Sequence, residues 1–132
     1  MALDPGARRI GVAISDELGV LARPLAVIER RSRAADLGLL AGLVDEHKPG
    51  LLLVGLPVLP SGDIGPQGAV SQRFAELLRG HFRLPVELWN ESYSTIEARR
   101  RRQERPRRRR SPAAVDAEAA AVFLQQYLDA RT

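Results

Sequence analysis

The chain has 132 residues, of which 45 % are hydrophobic and 27 % are charged, and it contains no cysteine. This length suits one domain with a real core, and the composition is that of a globular protein rather than a disordered one. The lack of cysteine excludes a disulfide framework and a thiolate metal site. No stretch approaches the roughly 18 apolar residues of a membrane span, and no signal peptide is recognisable. We therefore expect one cytoplasmic domain over residues 1–132, with no membrane partner.

The net charge of +4 is unevenly distributed along the chain. Nine of the 20 basic residues and one of the 16 acidic residues lie between Arg99 and Arg110, so the rest of the chain has a net charge of −4. A basic block of this kind is typical of segments that contact phosphate, although a solvated loop has a similar composition. We predict a nucleic-acid partner. The predicted contact residues are Arg8, Arg9, Arg99, Arg100, Arg101, Arg102, Arg107, Arg108, Arg109 and Arg110.

The first half of the chain predicts three strands and a helix. A short apolar run carries Asp4 at its end, breaks at Pro5-Gly6 and is followed by a second run over 10–14, which is typical of a hairpin. A third strand is expected over 25–28, with Pro24 at its start. Apolar residues at helical spacing predict a helix over 34–47, ended by Pro49-Gly50. Gly38 and Gly42 weaken that helix, but they would allow close packing on a sheet.

The second half alternates strands with helices. The fully apolar run 51–54 suits an interior strand covered on both faces. A loop rich in glycine and proline covers 55–68, a helix follows to about Gly80, and another strand is expected over 86–89. Ser94 and Glu97 form a capping box that opens a third helix, and Ser111-Pro112 opens a last helix to about Ala130. This order predicts an α/β fold, a mixed five-stranded sheet with helices on both faces.

Three acidic residues occupy positions that surface solubility does not explain. Asp4 ends the first strand, Glu91 follows the strand over 86–89, and Asp116 shares a face of the last helix with apolar residues. A carboxylate on a core-facing stripe is costly unless a positive group meets it. Converging carboxylates are the oxygen ligands that Mg²⁺ and Mn²⁺ prefer. The alternative is structural: acids after strands often cap turns, and Asp116 could be the buried partner of an arginine.

Four segments, in order, resemble the YqgF/RuvX family, small bacterial proteins described as Holliday-junction resolvases and as nucleases that mature the pre-16S rRNA end. Residues 3–13 resemble the family's opening motif, and 54–57 its central strand and following loop. Residues 89–95 resemble its Asp-Glu-Arg-Leu-Thr-Thr segment, and 115–129 its closing helix. The resemblance implies a ribonuclease-H-like fold. It also implies that the acidic triad Asp4, Glu91 and Asp116 is catalytic and holds one or two Mg²⁺ or Mn²⁺ ions.

The chain departs from the family pattern at several positions. Asn90 and Ser92 replace the acid and the arginine that flank the family's glutamate, so one acid and one cation beside Glu91 are gone. Ser61-Gly62-Asp63 stands where the family tends to have Asp-Gly. Only three residues precede Asp4, which implies either a misassigned start or a frayed first strand.

The favoured hypothesis is a metal-dependent nuclease that acts on structured nucleic acid, either a pre-rRNA 5′ end or a Holliday junction. A resolvase that cuts two symmetric strands is expected to be a homodimer. The alternative is a nucleic-acid-binding protein with weakened or lost catalysis, as the changes at Asn90 and Ser92 suggest. An actin- or sugar-kinase-like ATPase would need a second domain, for which the chain is too short.

Overall fold

The structure is a computed structural model that describes residues 1–90 and 112–131. The elements are β1 (Ala2–Pro5), β2 (Arg9–Ser15), β3 (Ala22–Glu29), α1 (Arg33–His47), β4 (Leu52–Leu56), α2 (Pro66–His81), β5 (Val86–Asn90) and α3 (Pro112–Ala130). The helix predicted from the Ser94 capping box lies outside the described residues. In the two described ranges, no helix is both long and apolar enough to cross a membrane.

The five strands form one mixed sheet in the order β3-β2-β1-β4-β5. The first three strands are antiparallel neighbours, whereas β1, β4 and β5 run parallel to one another. The carboxyl ends of the parallel strands therefore meet at one edge of the sheet. This arrangement confirms the predicted mixed five-stranded sheet.

The sheet is covered on both faces by separate apolar clusters. On one face, α1 and α2 bury Leu40 and Phe74 against strand residues such as Val12. On the other face, α3 buries Phe123 against Ala13 and other small strand residues. Since side chains alternate along a strand, neighbouring strand residues serve opposite clusters. The prediction of helices on both faces is therefore confirmed.

The predicted start of the third strand was wrong. The third strand begins at Ala22, so Pro24 lies inside it rather than at its start. Proline is tolerated there because β3 is an edge strand, and the register with β2 shifts beside the partner of Pro24, between Val12 and Ala13. Helix α1 ends at His47, as predicted, and Lys48 after it adopts the left-handed conformation with φ 48°.

The amino end of β1 is held in place by burial and by hydrogen bonds. The Met1 side chain is buried, its amino group donates to the Leu51 carbonyl at 3.0 Å, and its carbonyl accepts from the Leu53 amide at 2.9 Å. Burial lowers the pKa of that amino group to about 6. Fraying, one of the two alternatives raised for this strand, is therefore not observed, and β1 is the central strand of the sheet.

The predicted close packing at Gly38 and Gly42 was also wrong. A Cβ atom at either position would meet nothing within 4 Å, and both residues are exposed on α1. Because glycine in a helix interior is less favourable than alanine by about 0.5–1 kcal/mol, we expect Gly38→Ala to raise the free energy of unfolding by that amount. Urea denaturation would measure the change. An unchanged or lower stability would mean that Gly38 makes a contact in solution that the packing does not show.

Candidate active site

Asp4 lies near the carboxyl end of β1, one residue before the strand ends at Pro5. Its side chain belongs to the α3 face, because it is two residues from Ala2, which packs in the α3 cluster. In the antiparallel pair with β2, Asp4 is opposite Gly11. In open α/β sheets, ligands bind beyond the carboxyl ends of the parallel strands. Asp4 therefore lies at the edge where a site is expected, as predicted.

The turn that follows Asp4 is fixed by hydrogen bonds. Within the turn, the Gly6 amide donates to the Arg9 carbonyl at 2.8 Å. From the opposite face of the sheet, Gln67 Nε2 donates to the Pro5 carbonyl at 2.8 Å, and Arg30 Nη1 donates to the Gly6 carbonyl at 2.8 Å. These bonds hold the backbone on which Asp4 is presented.

Gly11 allows α3 to approach β2 at Asp116. A Cβ atom on Gly11 would lie 2.1 Å from the Asp116 carbonyl oxygen and 2.3 Å from its carbonyl carbon, distances that no side chain can occupy. The Asp116 backbone therefore lies directly over Gly11, the residue that pairs with Asp4. The structure thus brings the predicted residues Asp4 and Asp116 to the same face and the same end of the sheet.

Asp116 forms an ion pair with Arg9. Arg9 Nε donates to Asp116 Oδ2 at 2.9 Å, and the two side chains are 26 % and 33 % exposed. Asp116 therefore lies at the partly exposed start of the apolar stripe, whereas Ala120 and Phe123 farther along α3 are fully buried. The alternative that Asp116 is the buried partner of an arginine is right about the arginine, but the carboxylate is partly exposed rather than buried. Arg9, predicted to contact phosphate, has a structural partner as well.

The other predicted site residues divide into two groups. Arg8 is exposed in the β1–β2 turn beside Asp4, where a phosphate could reach it. Glu91 and the arginines between Arg99 and Arg110 lie outside the described residues. Within residues 1–90 and 112–131, no group of three or more histidine, cysteine, aspartate or glutamate side chains is placed to hold a metal ion.

The described donors nevertheless suit a hard divalent cation. Asp4 and Asp116 offer carboxylate oxygens only, which is the ligand chemistry of Mg²⁺ and Mn²⁺. Gly55 of β4 is opposite Trp89 of β5, and Leu53 and Trp89 belong to the α3 cluster. The alternation along β4 therefore places Gly55 on the same face as Asp4, and a glycine there adds no side chain beside the carboxylates.

Sequence reasoning missed one residue of this site, Gly11, and one contact, the ion pair between Arg9 and Asp116. It assigned no role to Gly11, although a glycine opposite an acid in a hairpin signals a close approach of another backbone. It grouped Arg9 with the phosphate contacts, and nothing in the local sequence links Arg9 to Asp116, which is 107 residues away.

A family model described as "RuvX: Holliday junction resolvase" matches residues 1–130. The chain belongs to the RuvX family. A relative from Thermoanaerobacter pseudethanolicus named "Putative pre-16S rRNA nuclease" is 39 % identical over 99 % of this chain and 96 % of its own length. A relative with the same name from Symbiobacterium thermophilum is 45 % identical over 98 % of this chain and 90 % of its own.

Solved structures of RuvC resemble this RuvX chain in fold. The T. thermophilus RuvC in complex with Holliday junction substrate matches with a TM-score of 0.60 and 15 % identity, covering 98 % of this chain and 92 % of that chain. A second Thermus thermophilus RuvC structure matches with a TM-score of 0.55, also at 15 % identity, covering 98 % and 93 %. The predicted ribonuclease-H-like fold is confirmed by these matches.

Proposed function

We propose that this protein is a metal-dependent nuclease that hydrolyses phosphodiester bonds in structured nucleic acid. The observation that carries the proposal is the approach of α3 to β2 at Gly11, which brings Asp116 to the face and end of the sheet that Asp4 occupies. The names of the relatives and the family support two substrates, a pre-16S rRNA end and a Holliday junction. Both present phosphodiesters in a folded nucleic acid.

Asp4 and Asp116, with Glu91, would hold one or two Mg²⁺ or Mn²⁺ ions. Glu91 directly follows Asn90, the last residue of β5, whose carboxyl end lies at the same sheet edge as that of β1. Divalent cations bound by carboxylates activate an attacking water and stabilise the leaving oxygen of a phosphodiester. The chain's own contribution is to fix the two carboxylates on rigid elements before substrate binds.

The arginines near these carboxylates would bind and orient the substrate. Arg8 is exposed beside Asp4 and would contact a phosphate as a monodentate or bidentate donor. Arg9 would orient the Asp116 carboxylate through Nε, while its guanidinium has further N–H groups for a phosphate oxygen. The basic block between Arg99 and Arg110 is proposed to bind the nucleic-acid backbone on grounds of charge.

The alternative function, a nucleic-acid-binding protein with weakened or lost catalysis, is favoured by one observation. The Arg9 guanidinium already neutralises Asp116, and a positive group beside a metal ligand opposes cation binding. The Asn90 and Ser92 departures point in the same direction. Binding without turnover would support this alternative.

The two functions are separated by a cleavage assay with both substrates. The purified protein is incubated with a labelled four-way DNA junction and with a pre-rRNA 5′ leader, in Mn²⁺, in Mg²⁺ and in EDTA. Cleavage that requires the metal supports the nuclease proposal. The substrate that is cut faster identifies the natural substrate class. Salt-sensitive binding of both substrates with no product in any metal would overturn the nuclease proposal in favour of the binding protein.

Cleavage of the junction would also have a consequence for the oligomeric state of the protein. We propose a homodimer for that activity, because two symmetric cuts need two active sites related by a twofold axis. Light scattering of the protein with and without the junction measures the number of copies. A monomeric protein that cuts only the pre-rRNA leader would contradict both the homodimer and the Holliday junction as substrate.

We expect Arg9→Gln to reduce cleavage by about 10–100-fold, the usual cost of removing a group that orients a metal ligand. Glutamine cannot replace the charged contact to Asp116 Oδ2, which spans 2.9 Å. The matched control is Arg83→Gln, which removes the same charge from an exposed position before β5, at the other end of the sheet. Single-turnover rates and Mn²⁺ affinity are measured for both variants. Tighter Mn²⁺ binding by Arg9→Gln would contradict an orienting role and indicate that Arg9 competes with the metal.

A further inference from the structure

A pocket on the opposite face of the sheet from Asp4 and Asp116 carries a concentration of arginines. The pocket has a volume of about 530 Å³ and lies between the start of α1, the β1–β2 turn and α2. Its volume falls within the roughly 300–1,000 Å³ of small-ligand sites. Four arginines line it, Arg30, Arg31, Arg33 and Arg73, with a single carboxylate, Asp36.

Arg30 and Asp36 are engaged with the fold and set the shape of the pocket. Arg30 donates through Nη1 to the Gly6 carbonyl, and its guanidinium lies 5.8 Å from the centre of the Phe74 ring. The buried Asp36 carboxylate accepts from the Arg31 amide at 3.0 Å through Oδ1, and its Oδ2 is 3.9 Å from Arg30 Nε. Because these two side chains neutralise each other, the pocket keeps the charge of the other three arginines.

The remaining arginines present their charge to solvent. Arg31, Arg33 and Arg73 are exposed, and they come from two elements, the start of α1 and the middle of α2. Ser32 caps α1 at this point, so the positive end of the helix dipole adds to the same field. Guanidinium groups that converge from separate elements are suited to phosphate, whose oxygens accept hydrogen bonds from several directions.

The pocket is close to the proposed active site along the chain. Ala7 lines the pocket and follows Asp4 by three residues, so their Cα atoms are at most about 11 Å apart. The exposed Arg8 lies in the same turn. A nucleic-acid strand held at Asp4 would therefore have to cross only this turn to reach the pocket on the other face.

We propose that this pocket binds a backbone phosphate of the nucleic acid beyond the scissile position, with Arg33 and Arg73 as the main contacts. The proposal rests on the proposed function, since it takes the ligand to be the same nucleic acid. The pocket would be a second binding point for the nucleic acid, and it would fix the direction of the bound strand across the β1–β2 turn. The apolar residues under the arginines, among them Leu37 and Leu77, would lie beneath the sugar.

The test compares two double variants that remove the same charge. Arg33→Ala/Arg73→Ala empties the pocket of two guanidinium groups, whereas Arg23→Ala/Arg83→Ala removes two exposed arginines near the amino ends of β3 and β5, at the other end of the sheet. Fluorescence anisotropy with a labelled four-way junction in EDTA, at several salt concentrations, gives the Kd and its salt dependence. Thermal unfolding of all the variants checks that each is folded.

We expect the pocket variant to bind about tenfold more weakly and to lower the slope of log affinity against log salt by roughly 1, the contribution of one lost phosphate contact. The control variant is expected to change the slope by much less. Equal Kd values and slopes for the two variants would overturn the pocket proposal, and so would an absence of junction binding by the unmodified protein.

The cleavage assay in Mn²⁺ keeps this proposal distinct from the proposed function. If the unmodified protein does not cut but the pocket variant still loses affinity, the nuclease fails and the phosphate site stands. If the unmodified protein cuts and the pocket variant binds like the control, the nuclease stands and the phosphate site fails.

Discussion

Asp4→Asn is expected to reduce metal-dependent cleavage by about 10³-fold or more, because several kcal/mol of transition-state stabilisation by a bound metal correspond to three decades in rate. The substitution keeps the shape of the side chain and removes only its charge. Asp4 lies in the central strand, and its backbone pairs with Gly11 and follows Leu3, which is fully buried. The strand should therefore fold as before, and the loss should appear in the chemical step.

The control for Asp4→Asn is Asp45→Asn, which removes the same charge from an exposed position on α1. Single-turnover cleavage with saturating protein measures the rate of the chemical step independently of substrate affinity. A Mn²⁺ titration measures whether Asp4 contributes to metal affinity. A variant at Asp4 that keeps full cleavage and full Mn²⁺ affinity would refute its role as a metal ligand. Unchanged cleavage with a lower melting temperature would instead assign Asp4 a structural role.

Gly11→Ala is expected to lower the free energy of unfolding by about 3 kcal/mol, at the upper end of the usual cost of overpacking. The added methyl group would lie 2.1 Å from the Asp116 carbonyl oxygen and 2.9 Å from the Ala117 amide nitrogen. Both are backbone atoms of α3, so no side-chain rotation can relieve the contact. The helix must move away from β2, and Asp116 must move with it.

Two readouts are needed for Gly11→Ala. Urea denaturation measures the stability, with Gly38→Ala as the matched glycine replacement at a position where a Cβ atom meets nothing. Cleavage by the folded fraction then reports whether moving α3 separates Asp116 from Asp4. Stability and cleavage both equal to those of the unmodified protein would refute the close approach of α3 to β2.

Within residues 1–90 and 112–131, the element order could be predicted from the sequence because local signals agreed with the tertiary structure. The break at Pro5-Gly6 defines the hairpin, and the apolar run that became β4 is buried as an interior strand requires. Boundaries were less predictable where tertiary context decided. Pro24 is tolerated within β3 because β3 is at the edge of the sheet, and pairing with β2 extends the strand back to Ala22.

The sequence predicts which residues belong to the site, whereas the contacts between them depend on the tertiary structure. Asp4 and Asp116 were singled out from position and resemblance, and their common location was expected only if α3 packed over β1 and β2. The Arg9–Asp116 ion pair joins residues 107 positions apart, so no local pattern predicts it. The arginine pocket likewise draws on α1 and α2, whose relative placement depends on the sheet between them.

The two turns of the first three strands differ in how they are held, which indicates where the chain would accept an insertion. The β1–β2 turn is bonded from α2 through Gln67 and from beyond β3 through Arg30. The β2–β3 turn is bonded from α3 at its far end, where Gln125 Nε2 donates to the Val20 carbonyl at 2.8 Å and Gln125 Oε1 accepts from the Ala22 amide at 2.9 Å. Among the described residues, its tip is free of such contacts to other elements: Leu18 is 87 % exposed, and Asp16 closes the turn by accepting from the Val20 amide, which lowers the pKa of that carboxyl. A fluorophore or affinity tag placed at Leu18 would therefore report on the protein without disturbing the backbone that carries Asp4, whereas lengthening the first turn would release it from both neighbours.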